Sequence, residues 1–331
     1  MNYIQEKQQI IYWAKLLNDK GLVTARSGNI SIRTGENAAI TAHNTYLGHL
    51  KEEDIVVVDM KGNLVCGDVA PSSERAMHLD IMKKFKDINV VIHSHSPYST
   101  AFFHYFDKLE IFSFEAKFYL GTVPVVAQRT PTVTDTVPVL KALEGCNIVV
   151  LGNHGVVAMG KDFKEAFSLL ELLEEQAKVS FTAKAMRLVP HKPLEVENEH
   201  KTGGSRPRYR LLSAEHINAM VELVNNDVEV RTMGEQMGLT CTLAVHNEDN
   251  DEIVCFYYEQ GKIGSYDTNR NAEFIINGSA DILKRVFNRD IDPFVASTQG
   301  KVKMKGDFAR LSRWYPVMVK TFALWGKVEV Y

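Results

Sequence analysis

A chain of 331 residues, 45% apolar and 24% charged, is long enough for two domains and has the makeup of a soluble globular protein. A net charge of -3 gives no electrostatic reason to expect nucleic acid or a membrane surface as partner. No apolar run reaches the length of a membrane span, the first seven residues lack a signal-peptide core, and Cys66, Cys146, Cys241 and Cys255 are scattered without a Cys-x-x-Cys pair. The expectation is a cytoplasmic protein with buried free thiols.

In chain order, residues 4–20 carry apolar side chains at helical spacing and stop at Gly21. Thr24 to Asn29 forms a loop before an alternating strand, Ile30-Ser31-Ile32-Arg33. In that loop Gly28, flanked by Ser27 and Asn29, lets backbone N–H groups approach an anion, although an ordinary tight turn reads the same way. A strand at residues 39–41 leads into Ala42-His43-Asn44-Thr45, and residues 55–59 and 64–66 form a hairpin around Lys61-Gly62-Asn63. Ser72-Ser73-Glu74 opens a helix that runs to about Phe85, with the serine hydroxyls as natural caps and a helix N-terminus that favours an anion. Glu74 suits that first turn as a carboxylate facing the helix dipole. His78 follows one turn later on the same face, pointing to the site or into the core.

Val90-Val91-Ile92-His93-Ser94-His95 is the stretch that carries chemistry. Residues i and i+2 of a strand share a face, so His93 and His95 project together from the end of an apolar strand. A third histidine stands at a second strand end, in Ile148 to Gly155, as Asn153-His154-Gly155. Three histidines with one position open make a catalytic zinc pattern rather than a closed structural one. Between them lie an aromatic helix at residues 98–106, a short strand at 123–126 and a helix at 134–143; a long helix follows at 162–186.

Taken together, Ser27-Gly28-Asn29-Ile30-Ser31, Pro71-Ser72-Ser73-Glu74, His93-Ser94-His95 and Asn153-His154-Gly155 resemble, in order and spacing, the class II (zinc-dependent) aldolase and adducin head family over residues 5–186. The resemblance implies an α/β domain with a mixed central sheet flanked by helices. It implies zinc, or another divalent metal, on His93, His95 and His154, with Glu74 as the acid–base at the carbon next to a metal-stabilised enediolate. The implied substrate is a hydroxyketone of the sugar-phosphate type, its phosphate cradled by Ser27, Gly28, Asn29, Ser72 and Ser73. Glu rather than Asp after the two serines resembles the aldolase branch more than the epimerases. Where relatives complete the phosphate site with Pro, a hydroxyl residue and Gly, this chain has Ala42-His43-Asn44, so His43 and Asn44 become candidates for another polar group of the substrate. Decarboxylases and a dehydratase share this zinc site, and adducin heads use the fold without catalysis; both readings stand beside the aldolase. Family members are typically tetramers, so a homo-oligomer is expected. No residue is assigned to the family's tail tyrosine beyond Tyr209 as a candidate.

Residues 187–210 are polar, hold Pro190, Pro193, Pro207 and Gly203-Gly204, and read as a linker between domains at 1–186 and 211–331. The second half shows an amphipathic helix at 213–225, strands at 240–246, 253–259, 262–267, 272–276 and 301–305, and helices at 279–287 and 308–324, the last interrupted by Pro316. Through Gly278-Ser279-Ala280-Asp281 and Thr298 to Asp307 it resembles the sterol-carrier-protein-2 family, which implies an α+β fold with an antiparallel sheet. The same resemblance implies an apolar ligand in a tunnel lined by Phe256, Phe274, Phe294, Met304, Phe308 and Trp314, against plain core packing as the alternative.

Overall fold

A computed structural model of the chain describes residues 3–186, 188 and 207–331. Most of the expected linker at 187–210 therefore lies outside the described residues. The chain divides into two compact units, Met1–Pro193 and Leu194–Tyr331.

The first unit is built on an eight-stranded sheet of order β4-β3-β2-β1-β5-β8-β7-β6. Its strands are β1 (Asn29–Thr34), β2 (Asn37–Thr41), β3 (Ile55–Asp59), β4 (Leu64–Cys66), β5 (Val90–Ser94), β6 (Val125–Ala127), β7 (Ile148–Gly152) and β8 (Gly155–Gly160). β6 runs parallel to β7 and the other pairs are antiparallel, so the sheet is mixed, as the sequence implies. The central strands alternate with period two between two buried faces. Ile30, Val57, Val90, Ile92, Ile148, Val150 and Val156 join one core with the helices α1 (Ile4–Asp19) and α6 (Phe163–Ala185). Val56, Val58, Val91, Val149, Leu151 and Val157 join the other, against α2 (Arg75–Lys84) and α5 (Val137–Ala142). Two further helices, α3 (Pro97–Tyr105) and α4 (Phe114–Leu120), complete the unit.

That alternation sets the site. His93 has the parity of Val91, so it emerges on the α2 face at the C-terminal end of β5. Strand β8 is absent from the sequence reading, which ended the element at His154. Its apolar run is short, and the β7–β8 connection lacks the Asn-Gly signal of a tight hairpin. The left-handed residue of that turn is Asn153, with φ 59°. α4 is also unforeseen; it is capped by Ser113, whose hydroxyl accepts from the Ala116 N–H. Glu74 occupies the cap position of α2, one or two residues beyond the serines proposed for it, and its N–H donates to Ser72 Oγ at 3.2 Å.

The second unit holds α7 (Ala214–Asn226), α8 (Val228–Gln236), α9 (Ala280–Phe287), α10 (Pro293–Thr298), α11 (Phe308–Arg313) and α12 (Tyr315–Trp325). They accompany a five-stranded sheet of order β11-β10-β9-β12-β13, from β9 (Cys241–Asn247), β10 (Glu252–Glu259), β11 (Lys262–Asp267), β12 (Phe274–Gly278) and β13 (Lys303–Lys305). The expected antiparallel sheet is corrected on one point: β12 pairs with β9 in parallel, because the chain after β11 recrosses the sheet to reach the free edge of β9. The segment before Pro316 is a separate helix, as proline at the second position of α12 starts a new helix rather than continuing the old one. Phe256 and Phe274 are fully buried in the core of this unit, whereas Phe294 and Met304 line a small apolar cavity of about 40 Å³ with Val286, Phe287, Phe322 and Trp325. Trp314 packs in the core, and the Phe308 side chain lies outside what is described. Among the described residues the cysteines form no disulfide; Cys66 is exposed on β4, contrary to the expectation of burial, and the other three are buried. No helix among the described residues is long and apolar enough to cross a membrane.

Candidate metal centre

Three elements deliver the histidines. β5 carries His93, the turn into α3 carries His95, and the β7–β8 turn carries His154. Two glycines allow the approach. A Cβ on Gly155 would lie 2.4 Å from the Ser94 carbonyl and 2.9 Å from the His93 ring, and one on Gly28 would lie 2.7 Å from the His93 carbonyl. Only glycine fits either place. The three rings stand edge-on to one another with centroids 4.8 to 4.9 Å apart. His93 Nε2 lies 3.0 Å from His95 Nε2 and 3.3 Å from His154 Nε2, and the ligand atoms of all three lie within 4.8 Å of one another.

The protonation pattern suits a cation. His93 Nδ1 faces the Val156 carbonyl at 3.1 Å, so its N–H donates there and the Nε2 lone pair turns to the centre. Burial holds the His93 imidazolium below its ordinary pKa, and burial together with its two histidine neighbours pushes His95 down to about 3. Imidazoles whose ring nitrogens converge at about 3 Å are a ready donor set: nitrogens bound to one ion at about 2.0–2.1 Å in tetrahedral array sit at roughly that separation.

Glu74 closes the fourth side. Its Oε2 lies 3.3 Å from His93 Nε2 and its Oε1 3.7 Å from His154 Nε2, with the carboxylate almost wholly buried. Burial alone would raise its pKa. The adjacent His93 ring and the Asn29 amide, followed by His154 and the Val133 N–H, outweigh that, leaving it below the ordinary value and ionised. The donors are the Asn29 amide at 3.0 Å to Oε2 and the Val133 N–H at 3.1 Å to Oε1.

Behind Asn29 lies a chain of one sense. His78 Nε2 stands 2.5 Å from Asn29 Oδ1, and Ser31 Oγ stands 2.7 Å from His78 Nδ1. Since Asn29 gives its N–H to Glu74, its oxygen accepts from His78, whose other nitrogen accepts from Ser31. This requires a neutral His78, which burial secures by holding its pKa at about 3. His78, which the sequence left open between site and core, thus faces the site through Asn29.

The remaining expected residues divide into two groups. Ser27 Oγ donates to the Thr24 carbonyl at 2.6 Å within its own turn, and both ends of the Asn29 side chain are engaged. The Pro71-Ser72-Ser73 turn and the His43–Asn44 loop lie against each other, through the Ala42–Pro71 bridge and the His43 N–H to Ala70 carbonyl bond at 2.8 Å. There Ser73, His43 and Asn44 are exposed, and Asn44 is left-handed with φ 61°. The sequence reading missed Val133, a backbone donor without side-chain signature, and the His104–Asn153 pair, in which His104 Nδ1 and Asn153 Oδ1 are hydrogen-bonded.

Three convergent imidazoles with a carboxylate against them, on an α/β sheet, fit a site for a divalent metal. The chain belongs to the Class II Aldolase and Adducin N-terminal domain family, whose model matches residues 8–181. It is 37% identical over 168 residues to the L-fuculose phosphate aldolase of Methanococcus maripaludis (strain C7), covering 50% of this chain and 91% of that one. It is 32% identical over 197 residues to the 3-oxo-tetronate 4-phosphate decarboxylase of Haemophilus influenzae (strain Rd), covering 57% of this chain and 92% of that one. The solved structure of an L-fuculose 1-phosphate aldolase matches with a TM-score of 0.53 and 31% identity, over 58% of this chain and 93% of that one. The chain is an enzyme of the class II aldolase type, a carbon–carbon lyase.

Proposed function

We propose that this enzyme is a zinc-dependent aldolase that makes or cleaves a carbon–carbon bond in a hydroxyketone of the sugar-phosphate type. The observation that carries the reading is the convergence of His93, His95 and His154 Nε2 atoms with the Glu74 carboxylate against them. A divalent cation held by the three histidines would supply positive charge to the enediolate that forms when the carbon–carbon bond breaks. Glu74 moves the proton at the adjacent carbon. Asn29 and Val133 hold both its oxygens in place, and the neutral Ser31–His78 chain orients Asn29 without adding charge. Zinc suits an all-imidazole donor set better than magnesium or calcium, which take oxygen ligands.

Phosphate recognition falls to the exposed Ser73 and the His43–Asn44 loop beside it, since Ser27, Asn29 and the buried Ser72 engage their side chains within the chain. Calorimetric titration of the zinc-loaded protein with two hydroxamate mimics of the enediolate, one phosphorylated, tests this. Tight binding of the phosphorylated mimic is expected. Preference for the other would mean that His43 and Asn44 have remade the site for a different donor. Failure of both would shift the reading to the decarboxylase, a class to which one relative belongs.

A second reading concerns the C-terminal unit, where the cavity between Phe294, Met304, Phe322 and Trp325 supports an apolar ligand of the sterol-carrier type. At about 40 Å³ it holds only a few water-sized atoms, so an acyl chain would have to spread these side chains. Titration of the full chain with a fluorescent fatty acid decides it; absence of binding at micromolar levels would leave assembly of a homo-oligomer as this unit's role.

A further inference from the structure

The three histidines are held to different degrees. His93 sits in the β5–β8 ladder opposite Val157, and its Nδ1 donates to the Val156 carbonyl. His95 lies just past the last ladder pair, Ser94 with Val156, and just before α3 begins at Pro97. Among the described residues no hydrogen bond braces its ring apart from the contact of its Nε2 with His93 Nε2. Its place therefore rests on the backbone at both sides: the end of β5 and the first turn of α3.

That first turn has no cap of its own. A helix leaves its first N–H groups without intrahelical acceptors, and a serine at the cap position ordinarily serves one of them. Ser96 occupies that position, but its hydroxyl pairs with Ser94 Oγ at 2.8 Å and donates to the Leu22 carbonyl at 3.5 Å. Pro97 has no N–H to satisfy, and the Thr100 N–H is the first to bond within the helix, to the Ser96 carbonyl at 2.9 Å. The N–H groups of Tyr98 and Ser99 remain. Both donate to one carboxylate on α6, that of Glu174: Tyr98 N–H to Oε1 at 2.9 Å and Ser99 N–H to Oε2 at 2.8 Å. The Ser99 hydroxyl adds a bond to Oε2 at 2.7 Å. A carboxylate there also faces the positive end of the helix dipole.

We propose that Glu174 is a positioning residue for the metal centre: by closing the first turn of α3 it sets His95 against His93 and His154. This rests on the metal-dependent reading above. Without the clamp the two N–H groups turn to water, the first turn unwinds, and His95 leaves its place while His93 stays in its ladder. Glutamine has the same shape but sets an NH2 group against one of the donors, so it keeps half of the clamp at most.

The test measures the centre directly on the full chain. Zinc dissociation constants are taken by competition with a chromophoric chelator, and the visible spectrum of the cobalt(II)-loaded protein reports the arrangement of the ligands. Glu174→Ala and Glu174→Gln are each expected to weaken zinc at least tenfold, the lower end of what residues supporting a metal site contribute, and to alter the cobalt bands. Phe167→Leu is the comparison: it loosens the same helix on its α1 side, against Trp13 at a ring separation of 5.3 Å. It is expected to lower the melting temperature while zinc affinity stays that of wild type. Wild-type zinc affinity and cobalt spectrum in both Glu174 variants overturn the proposal, as does a Phe167→Leu protein that loses as much affinity as they do. Should Glu174→Ala not fold, Glu174→Gln decides alone. Wild type separates the two levels. If it takes up neither zinc nor cobalt at micromolar concentration, the metal reading falls and the positioning role with it; if it binds both and the variants match it, only the role of Glu174 is removed.

Discussion

Glu74 owes its placement to neighbours that carry no charge. Asn29→Ala removes the amide donor to its Oε2 and strips the acceptor from the buried His78 N–H. We expect a stability loss of about 1–3 kcal/mol and at least a tenfold fall in kcat with zinc content retained, read by urea unfolding, steady-state kinetics and atomic emission. His93→Ala differs in kind: it removes a proposed metal ligand, and both zinc stoichiometry and turnover should be lost. Retained turnover in metal-free protein would sink the metal mechanism. In the second unit, His216 is buried with Nδ1 accepting the Leu212 N–H and Nε2 unpartnered, and burial lowers its pKa to about 4. It is neutral in the fold, whereas an unfolded histidine takes a proton near pH 6.5. Between those values the unfolded state binds more protons, so stability is full above about pH 6.5 and falls as pH drops towards 4, by about 3 kcal/mol. Hydrogen exchange of β9 amides across that range should show the slope, and His216→Leu should flatten it.

At the scale of elements, the critical join is β5 against β8. The register places His93 opposite Val157, and Gly155 passes the Ser94 carbonyl where no side chain fits. Gly155→Ala must push these strands apart. A loss of at least about 2 kcal/mol is expected, together with weaker zinc binding, since His154 rides on the same turn. Thermal melts with and without zinc check both; a variant as stable and as zinc-replete as wild type would show that the turn has slack. α2 supplies the other side of the site. Its apolar residues Met77, Ile81 and Met82 seat it on the sheet, and so aim Glu74, at its first end, at the rings on β5.

For the whole molecule, two units with separate cores predict two unfolding events. Chelation should lower only the transition of the histidine-bearing unit: a metal at a thousandfold its dissociation constant contributes about 4 kcal/mol by linkage. Scanning calorimetry with and without a chelator reads this directly, and two transitions unmoved by chelation would argue against a resident ion.

The sequence by itself marked the three histidines and the strand that carries two of them, because period-two alternation and residue type are local properties that survive without a structure; Glu74 and the mixed sheet came from the family resemblance. His93 and His95 were legible because their spacing carries the geometry. Their convergence with His154 was implied by motif order and needed the β5–β8 pairing to become a distance. The tertiary structure alone decided what surrounds them. Asn29 bonds to Glu74, His78 backs Asn29, and Val133 gives a donor from the backbone. β8 emerged from a run too short to identify, and β12 took a parallel place that strand content does not specify. Each depends on contacts between residues far apart in the chain, and partner choice at that range follows from how the faces pack, which no local pattern encodes.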